Sequence, residues 1–288
     1  MKSNLFNWVI FIVLSFIWGS SFILMKEGMK GLSAYQVASI RILSAGIVLV
    51  PFGIQSFKAL PANKRLLVFL SGLLGTFFPA YLFCIAETKI DSSLAGILNA
   101  LTPLFTLLIG AIFFKSRIPW RKWAGVIIGF AGLVLLILAG NKTISFSYMG
   151  YASFILLATL LYGINVNLVS RYLKEIGSRQ IATVAFTLLI IPSFVILWLT
   201  GYFNKEELSR AFLYSTGASM VLGIMGTAVA SILFYVLLKR AGAVFSSMVT
   251  YGIPFVALFW GILANEEINP WQIGCLCVIL GGVYLANK

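Results

Sequence analysis

The chain has 288 residues, of which 60% are hydrophobic and only 10% are charged, and its mean hydropathy is +1.01. Because a soluble domain carries about 25% charged residues, this composition excludes a water-soluble globular protein. It predicts an all-α integral membrane protein whose surroundings are the lipid bilayer.

Ten apolar runs are long enough to cross a membrane, since a hydrocarbon core of about 30 Å needs about 20 helical residues. The gaps between them are short, which predicts one compact bundle of antiparallel neighbours. The first run could also be a signal peptide, because Lys2 precedes it and Gly19-Ser20-Ser21 resembles a cleavage site. Its counterpart in the repeat described below favours a retained helix. The predicted spans are residues 8–25, 34–57, 66–86, 92–114, 121–140, 148–170, 180–200, 212–238, 243–264 and 270–286.

The formal net charge of +13 is spread unevenly across the predicted membrane. About two thirds of the Lys and Arg residues lie on the side of the N-terminus, whereas Glu175 is the one acidic residue there. Basic loop residues favour the cytoplasmic side, so we expect both termini in the cytoplasm and the protein in the cell inner (plasma) membrane. The basic excess is therefore a topology signal, and no nucleic-acid partner is expected.

The sequence offers little for metal or cofactor chemistry. It contains no histidine, the commonest metal ligand and general base. Its three cysteines, Cys84, Cys275 and Cys277, lie in apolar runs, and the last two are spaced so that they point to different faces of a helix. We expect free, packed thiols, no metal site and no cofactor.

Two related halves, residues 1–140 and 148–288, are visible in the sequence. Each holds five predicted helices, and because five is odd, the second half enters the membrane from the opposite side. Inverted repeats of this kind place a binding site at their interface near the midplane. The matches include Gly19 with Gly163 and Gln36 with Gln180 and, at a shift of 151 residues, Gly75-Thr76 with Gly226-Thr227, Pro103 with Pro254, and Pro119-Trp120 with Pro270-Trp271.

These motifs resemble the EamA family of the drug/metabolite transporter superfamily. The resemblance covers nearly the whole chain and implies ten helices, cytoplasmic termini, and a central cavity that carries small metabolites. One departure is Lys115-Ser116-Arg117, where many members have a glutamate after the fourth helix. The resemblance rests on Trp18-Gly19-Ser20-Ser21-Phe22, Ser39-Ile40-Arg41, Leu101-Thr102-Pro103-Leu104-Phe105-Thr106, Pro254-Phe255-Val256-Ala257, Glu266-Glu267 and Gly281-Gly282-Val283.

Two matched proline breaks are the main pointer to a substrate site. Asn99 and Pro103 share one face of the fourth predicted helix, and their repeat mates Thr250 and Pro254 share one face of the ninth. Small and polar side chains beside a break can line a cavity, but they can also hold helices together. We favour the cavity for Asn99 and Thr250.

Aromatic and amide side chains add further candidates. Trp18 and Ser21 on the first helix correspond to Tyr162 and Asn165 on the sixth, and both rings lie too deep for an interfacial belt. Most other aromatic residues must be ordinary packing. The remaining lining candidates are Phe78, Tyr81, Tyr235 and Tyr251.

Arg41 is the ionisable residue that lies most clearly inside a predicted span. It could bind a substrate carboxylate or hold the repeats in register, or it could snorkel to the outer interface. No acidic residue lies near the middle of a span, and we expect Glu87, Glu266 and Glu267 to be solvated at outer helix ends. A neutral or zwitterionic substrate follows, since exchange of cations usually needs a buried carboxylate.

The leading hypothesis is a secondary transporter that exports or facilitates small metabolites, amino acids above all, by alternating access. Translocation of lipids or hydrophobic drugs is the alternative. An intramembrane enzyme is disfavoured, because no catalytic pair is available at depth. The expected partners are a small-molecule substrate and the bilayer, and fusion of the two halves makes an obligate protein partner unnecessary.

Overall fold

The structure, a computed structural model, describes residues 2–90, 92–139, 149–204, 209–256 and 270–287. All regular secondary structure within these ranges is helical, which confirms the prediction of an all-α membrane protein. Six helical segments are long and apolar enough to span a bilayer, and shorter apolar helices accompany them. The six are Leu5–Met29, Ala34–Lys58, Ala62–Glu87, Gly150–Tyr172, Ser178–Leu199 and Arg210–Ala241.

The helices follow one another with short connections. We number them along the chain, and two of the spans contain one π-helical turn each, at Leu73–Phe77 and Ile224–Val229. The α-helices are α1 Lys2–Met29, α2 Ala34–Lys58, α3 Ala62–Gly72, α4 Phe78–Glu87, α5 Ser92–Asn99, α6 Thr102–Ile112, α7 Trp120–Ala139, α8 Met149–Tyr172, α9 Ser178–Leu199, α10 Arg210–Gly223, α11 Ala230–Ala241, α12 Ala243–Ser247 and α13 Pro270–Asn287.

Local sequence signals start and stop several of these helices. A capping box begins α2: the Gln36 N–H donates to Ser33 Oγ at 3.3 Å, and the Ser33 N–H donates to Gln36 Oε1 at 3.0 Å. Such a cap stabilises a helix by about 1 kcal/mol. Gly242, whose φ is +85°, separates α11 from α12 in a backbone conformation that favours glycine.

The outer surface carries large apolar side chains that a soluble protein would bury. Ile12, Leu199 and Trp271 are 63%, 77% and 76% exposed. Continuous apolar surface of this kind is suited to hydrocarbon. Cys277, expected to be packed, belongs to this surface and is exposed on α13, whereas Cys84 is buried.

The two halves meet through equivalent helices. α2 packs along α9, and α7 packs along α13. Glycines permit the second contact, because a Cβ on Gly282 would lie 2.6 Å from the carbonyl oxygen of Gly125. Small residues let spanning helices approach closely in this way.

The fourth predicted span differs from a single kinked helix. α5 ends at Asn99, and α6 restarts at Thr102 with Pro103 in its first turn, where a missing N–H costs no helical hydrogen bond. In the ninth span, α12 passes into a 3₁₀ segment over Met248–Gly252 before Pro254. The rest of that span, with Glu266 and Glu267, lies outside the described residues.

Candidate functional site

A cavity of about 100 Å³ lies between the two halves. Residues from α1, α2, α4, α5, α6, α8, α11 and α12, together with both π-helical turns and the 3₁₀ segment, form its wall. Of the residues predicted to form the site, those that line this cavity are Trp18, Ser21, Arg41, Asn99, Tyr162, Asn165, Tyr235 and Thr250.

The two π-helical turns occupy matching positions in the halves and bring glycine to the cavity wall. Gly75 in the first turn lies against the amide of Asn165 on α8, and Gly226 in the second lies against Ser21 Oγ on α1. Each turn therefore packs on a polar residue of the opposite half. Single π-helical turns within α-helices are frequently found at functional sites.

Asn165 presents an unsatisfied acceptor to the cavity. It lies at the cavity wall with Tyr235, whose hydroxyl lies 3.1 Å from Ser71 Oγ. Asn165 is only 3% exposed, and its Oδ1 atom has no hydrogen-bond partner. A buried polar atom without a partner costs about 1–3 kcal/mol, so this oxygen is available to a bound molecule that donates a hydrogen bond.

Trp18 joins α1 to the second π-helical turn. Its Nε1–H donates to the carbonyl of Gly226 at 3.1 Å, and its ring packs on Phe234 with centroids 5.4 Å apart. Tyr162, its repeat mate, stacks on Phe83 at 6.2 Å. Aromatic faces thus flank the polar groups of the cavity on both sides of the interface.

Arg41 points inward from α2 rather than to the membrane surface. Its Nε–H donates to Thr227 Oγ1 at 2.7 Å, and Nη1 lies 3.8 Å from Met25 Sδ. The snorkelling alternative is therefore wrong for this side chain. Among the described residues that line the cavity, Arg41 is the charged one.

At each helix break, a threonine hydroxyl donates a hydrogen bond to a backbone carbonyl. Thr102 Oγ1 donates to the carbonyl of Asn99 at 2.7 Å, and Thr250 Oγ1 donates to that of Ser247 at 3.0 Å. This removes the penalty that a broken helix would incur inside a bilayer. The amide of Asn99 and the hydroxyl of Thr250 then remain at the cavity wall.

Five of the residues predicted to form the site lie away from the cavity. Phe78 is 45% exposed, and Tyr81 bonds Ser39 Oγ at 2.8 Å. Tyr251 is fully buried and donates to the Val126 carbonyl at 3.0 Å. Neighbours on a helix point about 100° apart, so Thr250 and Tyr251 face different surroundings. Pro103 and Pro254 are buried beside the breaks.

Sequence reasoning missed several lining residues and misjudged one acid. Thr227, the hydrogen-bond partner of Arg41, belongs to the second Gly-Thr motif. The repetition of Gly75-Thr76 as Gly226-Thr227 was the sequence signal that could have identified it as a lining residue. Glu87, expected to be solvated, is 4% exposed at the end of α4. Ser247 shares the predicted face of Thr250 and Pro254, where the sequence left cavity and packing equally open, and it also lines the cavity. Further lining residues that were not predicted are Phe22, Met25, Thr76, Phe83, Thr102, Val166, Ser231 and Phe234.

A second cavity, of about 330 Å³, opens one turn further along α6 and α8, on the predicted cytoplasmic side. Arg117, Lys122 and Arg171 line it, and Arg171 Nη1 donates to the Phe114 carbonyl at 2.6 Å. Asn167 also lines this cavity, whereas Asn165 lines the central one. In the described part of the chain no three His, Cys, Asp or Glu side chains gather as a metal site would require.

The sequence comparisons with known proteins agree on a transporter family. The model of the EamA-like transporter family matches residues 6–138 and 149–288. The “Uncharacterized transporter YdfC” of Bacillus subtilis is 29% identical over 93% of this chain and 84% of its own. A solved crystal structure shares the fold, with a TM-score of 0.74, 17% identity, and coverage of 96% of this chain and 95% of that one.

Two further relatives are named for their substrates. The “S-adenosylmethionine/S-adenosylhomocysteine transporter” of Chlamydia muridarum is 27% identical over 89% of this chain and 83% of its own. The “Probable terminal-alkyne amino-acid exporter” of Streptantibioticus cattleyicolor is 23% identical over 94% of this chain and 90% of its own.

Proposed function

The chain belongs to the EamA-like transporter family, and from this premise we propose that it carries zwitterionic metabolites of the amino-acid class by alternating access through the central cavity. The protein is a multi-pass membrane protein, and we propose that it resides in the cell inner membrane with both termini in the cytoplasm. We further propose that it catalyses no covalent chemistry.

One observation carries this proposal: a small cavity between the two halves, with polar side chains at the helix breaks and aromatic faces around them. Asn99, Asn165 and Thr250 offer neutral hydrogen-bonding groups, and no carboxylate is found among the described lining residues. Such a site suits a neutral or zwitterionic molecule better than a cation. The named substrates of the two relatives carry an α-amino-acid group, which supports the amino-acid class. S-adenosylmethionine also carries a sulfonium charge, so these names support the shared α-amino-acid group and not the absence of net charge.

Counterflow in proteoliposomes tests the proposal. Purified protein would be loaded with unlabelled amino acids, and uptake of labelled amino acids and S-adenosylmethionine would be followed. We expect saturable exchange of a subset in the wild type and its loss in both Asn99→Leu and Thr250→Val.

Thr88→Val is a matched control for Thr250→Val. Thr88 Oγ1 donates to the carbonyl three residues earlier, Ile85, at 2.7 Å, as Thr250 does to Ser247, but Thr88 is exposed at a helix end. It should leave exchange unchanged. Exchange of no amino acid would refute the substrate class, and exchange of fluorescent lipid instead would favour lipid translocation. Unchanged exchange in both cavity variants would refute the location of the site.

A further inference from the structure

Arg41 is a cation inside a spanning helix, and no carboxylate in the described part of the chain forms a salt bridge with it. Its hydrogen-bond partners, Thr227 and Met25, are both uncharged. The salt bridge found in the described residues joins Lys30 and Glu27 at the surface. Arg41 is half-buried. Glu87, buried at the end of α4, lies one helical turn after Cys84, whose Sγ is 3.8 Å from the same Met25 Sδ, but it makes no salt bridge with Arg41. A charge at this depth is costly and is normally paired or functional, so the guanidinium is suited to an anion brought into the cavity.

The orientation of the guanidinium leaves donors for such an anion. Of its five N–H groups, the one on Nε is used by Thr227 and one on Nη1 points to Met25 Sδ. Thr227 Oγ1 in turn donates to the carbonyl of Leu222 at 3.3 Å, so its lone pairs are free to accept from Arg41. The second π-helical turn therefore fixes the stem of Arg41 while the rest of its planar fork stays available at the cavity wall.

The charge is also confined to one half of the protein. The repeat alignment that pairs Gln36 with Gln180 pairs Arg41 with Ala185, which is 2% exposed in the core. A side chain needed only to hold two equivalent halves together would be expected in both. Arg41 thus breaks the symmetry of the cavity and gives it a single positive pole.

We propose that Arg41 binds the carboxylate of the transported molecule, while the unpartnered Oδ1 of Asn165 accepts a hydrogen bond from its ammonium group. The proposal rests on the proposed transport function and narrows it: the substrates are α-amino acids or derivatives with a free carboxylate, and amines of the same shape are rejected. A guanidinium fork is well matched to a carboxylate, since both are planar and bidentate.

Competition in wild-type proteoliposomes tests the carboxylate requirement. Counterflow of labelled leucine would be competed with leucine, leucinamide and isopentylamine, and corresponding series would be used for the other exchanged amino acids. We expect the amide and the amine to compete about 100-fold less well than the acid, the loss typical of a missing partner for a buried charge. Equal competition by the amide overturns the proposal.

Variants of Arg41 test the residue itself. Arg41→Gln should weaken leucine binding about 100-fold and abolish the preference for leucine over leucinamide, whereas Arg41→Lys should keep part of that preference. A preference for the acid that persists in Arg41→Gln overturns the proposal. The wild-type competition needs no variant, so it tests the carboxylate requirement even where Arg41→Gln does not fold, and Arg41→Lys then tests the residue: an unchanged preference for the acid over the amide in that variant overturns the proposal.

Thr227→Val separates binding from a structural tie, because it removes the Nε partner and leaves the charge in place. A merely structural Arg41 would give equal losses of thermal stability in Thr227→Val and Arg41→Gln with the preference for the acid intact, which overturns the proposal. Exchange of leucine with equal competition by leucinamide and isopentylamine is consistent with the proposed transport function and overturns only the role of Arg41. Exchange of no amino acid overturns the proposed function, and this inference with it.

Discussion

Gly75→Ala tests the contact between the first π-helical turn and the opposite half. A Cβ at this position would fall on the Nδ2 atom of Asn165 and lie 2.8 Å from its Cγ. Asn165 is only 3% exposed, so its amide has little room to move aside. Overpacking costs about 1–3 kcal/mol, while Ala gains about 1 kcal/mol of helix propensity over Gly. The net expectation is a destabilisation of up to about 2 kcal/mol, which comes from overpacking.

Thermal unfolding in detergent and counterflow in proteoliposomes would measure this effect. We expect a lower melting temperature and a raised KM, because the displaced amide enters the cavity. Gly217→Ala is the matched control, since no heavy atom lies within 4 Å of its added Cβ. The double variant Gly75→Ala/Asn165→Ala should recover the melting temperature but not transport. Wild-type stability and transport in Gly75→Ala would refute the packing described here.

Three further predictions concern the bonds and the topology of the bundle. Trp18→Phe removes the hydrogen bond to the Gly226 carbonyl, so it should lower the free energy of unfolding in urea by about 1 kcal/mol. It should also raise the KM for transport, and an unchanged KM would exclude the indole from the site. Tyr251→Phe should lower stability by a similar amount through its lost bond to Val126, about 1 kcal/mol, but with KM unchanged, because Tyr251 lies away from the cavity. A green fluorescent protein fused after Lys288 should fluoresce and an alkaline phosphatase fused there should be inactive; the reverse pattern would refute cytoplasmic termini.

The sequence predicted the class of fold because composition and repeat spacing are properties of the whole chain. The positions of the breaks were also visible, since proline cannot donate a backbone hydrogen bond. Their forms were not visible: the first break interrupts the helix after Asn99, whereas the second becomes a 3₁₀ segment from Met248 to Gly252. The form depends on what packs against each break, and local propensity does not specify it.

The π-helical turns show the same limit more clearly. The repetition of Gly75-Thr76 as Gly226-Thr227 was evident, but nothing in these residues requires a π-helical turn. The turns are accompanied by tertiary contacts, in which each glycine meets a polar side chain of the other half. A single sequence shows that the two motifs correspond, but it does not show that α8 packs on the first turn and α1 on the second.

The sequence does not show which face of a helix lines the cavity, because tertiary packing determines this. Phe78 and Tyr81 are three residues apart and share a helix face, and that face points to the outside and to α2 rather than to the cavity. Helical periodicity groups residues into faces but does not say which face meets the substrate. Arg41 illustrates the converse, because its inward direction follows from Thr227, a partner 186 residues away.

A symmetric scaffold and an asymmetric site serve different requirements of a transporter. Alternating access needs an inward-facing and an outward-facing arrangement of similar stability. Inverted repeats supply both, because each half can adopt the conformation of the other. Recognition of a molecule without symmetry needs different groups at equivalent positions. The residues at equivalent positions of the two repeats differ in that way: Ser21 corresponds to Asn165, and Asn99 corresponds to Thr250. We therefore expect the repeated backbone to provide the proposed motion, and the side chains at the breaks and turns to provide substrate recognition.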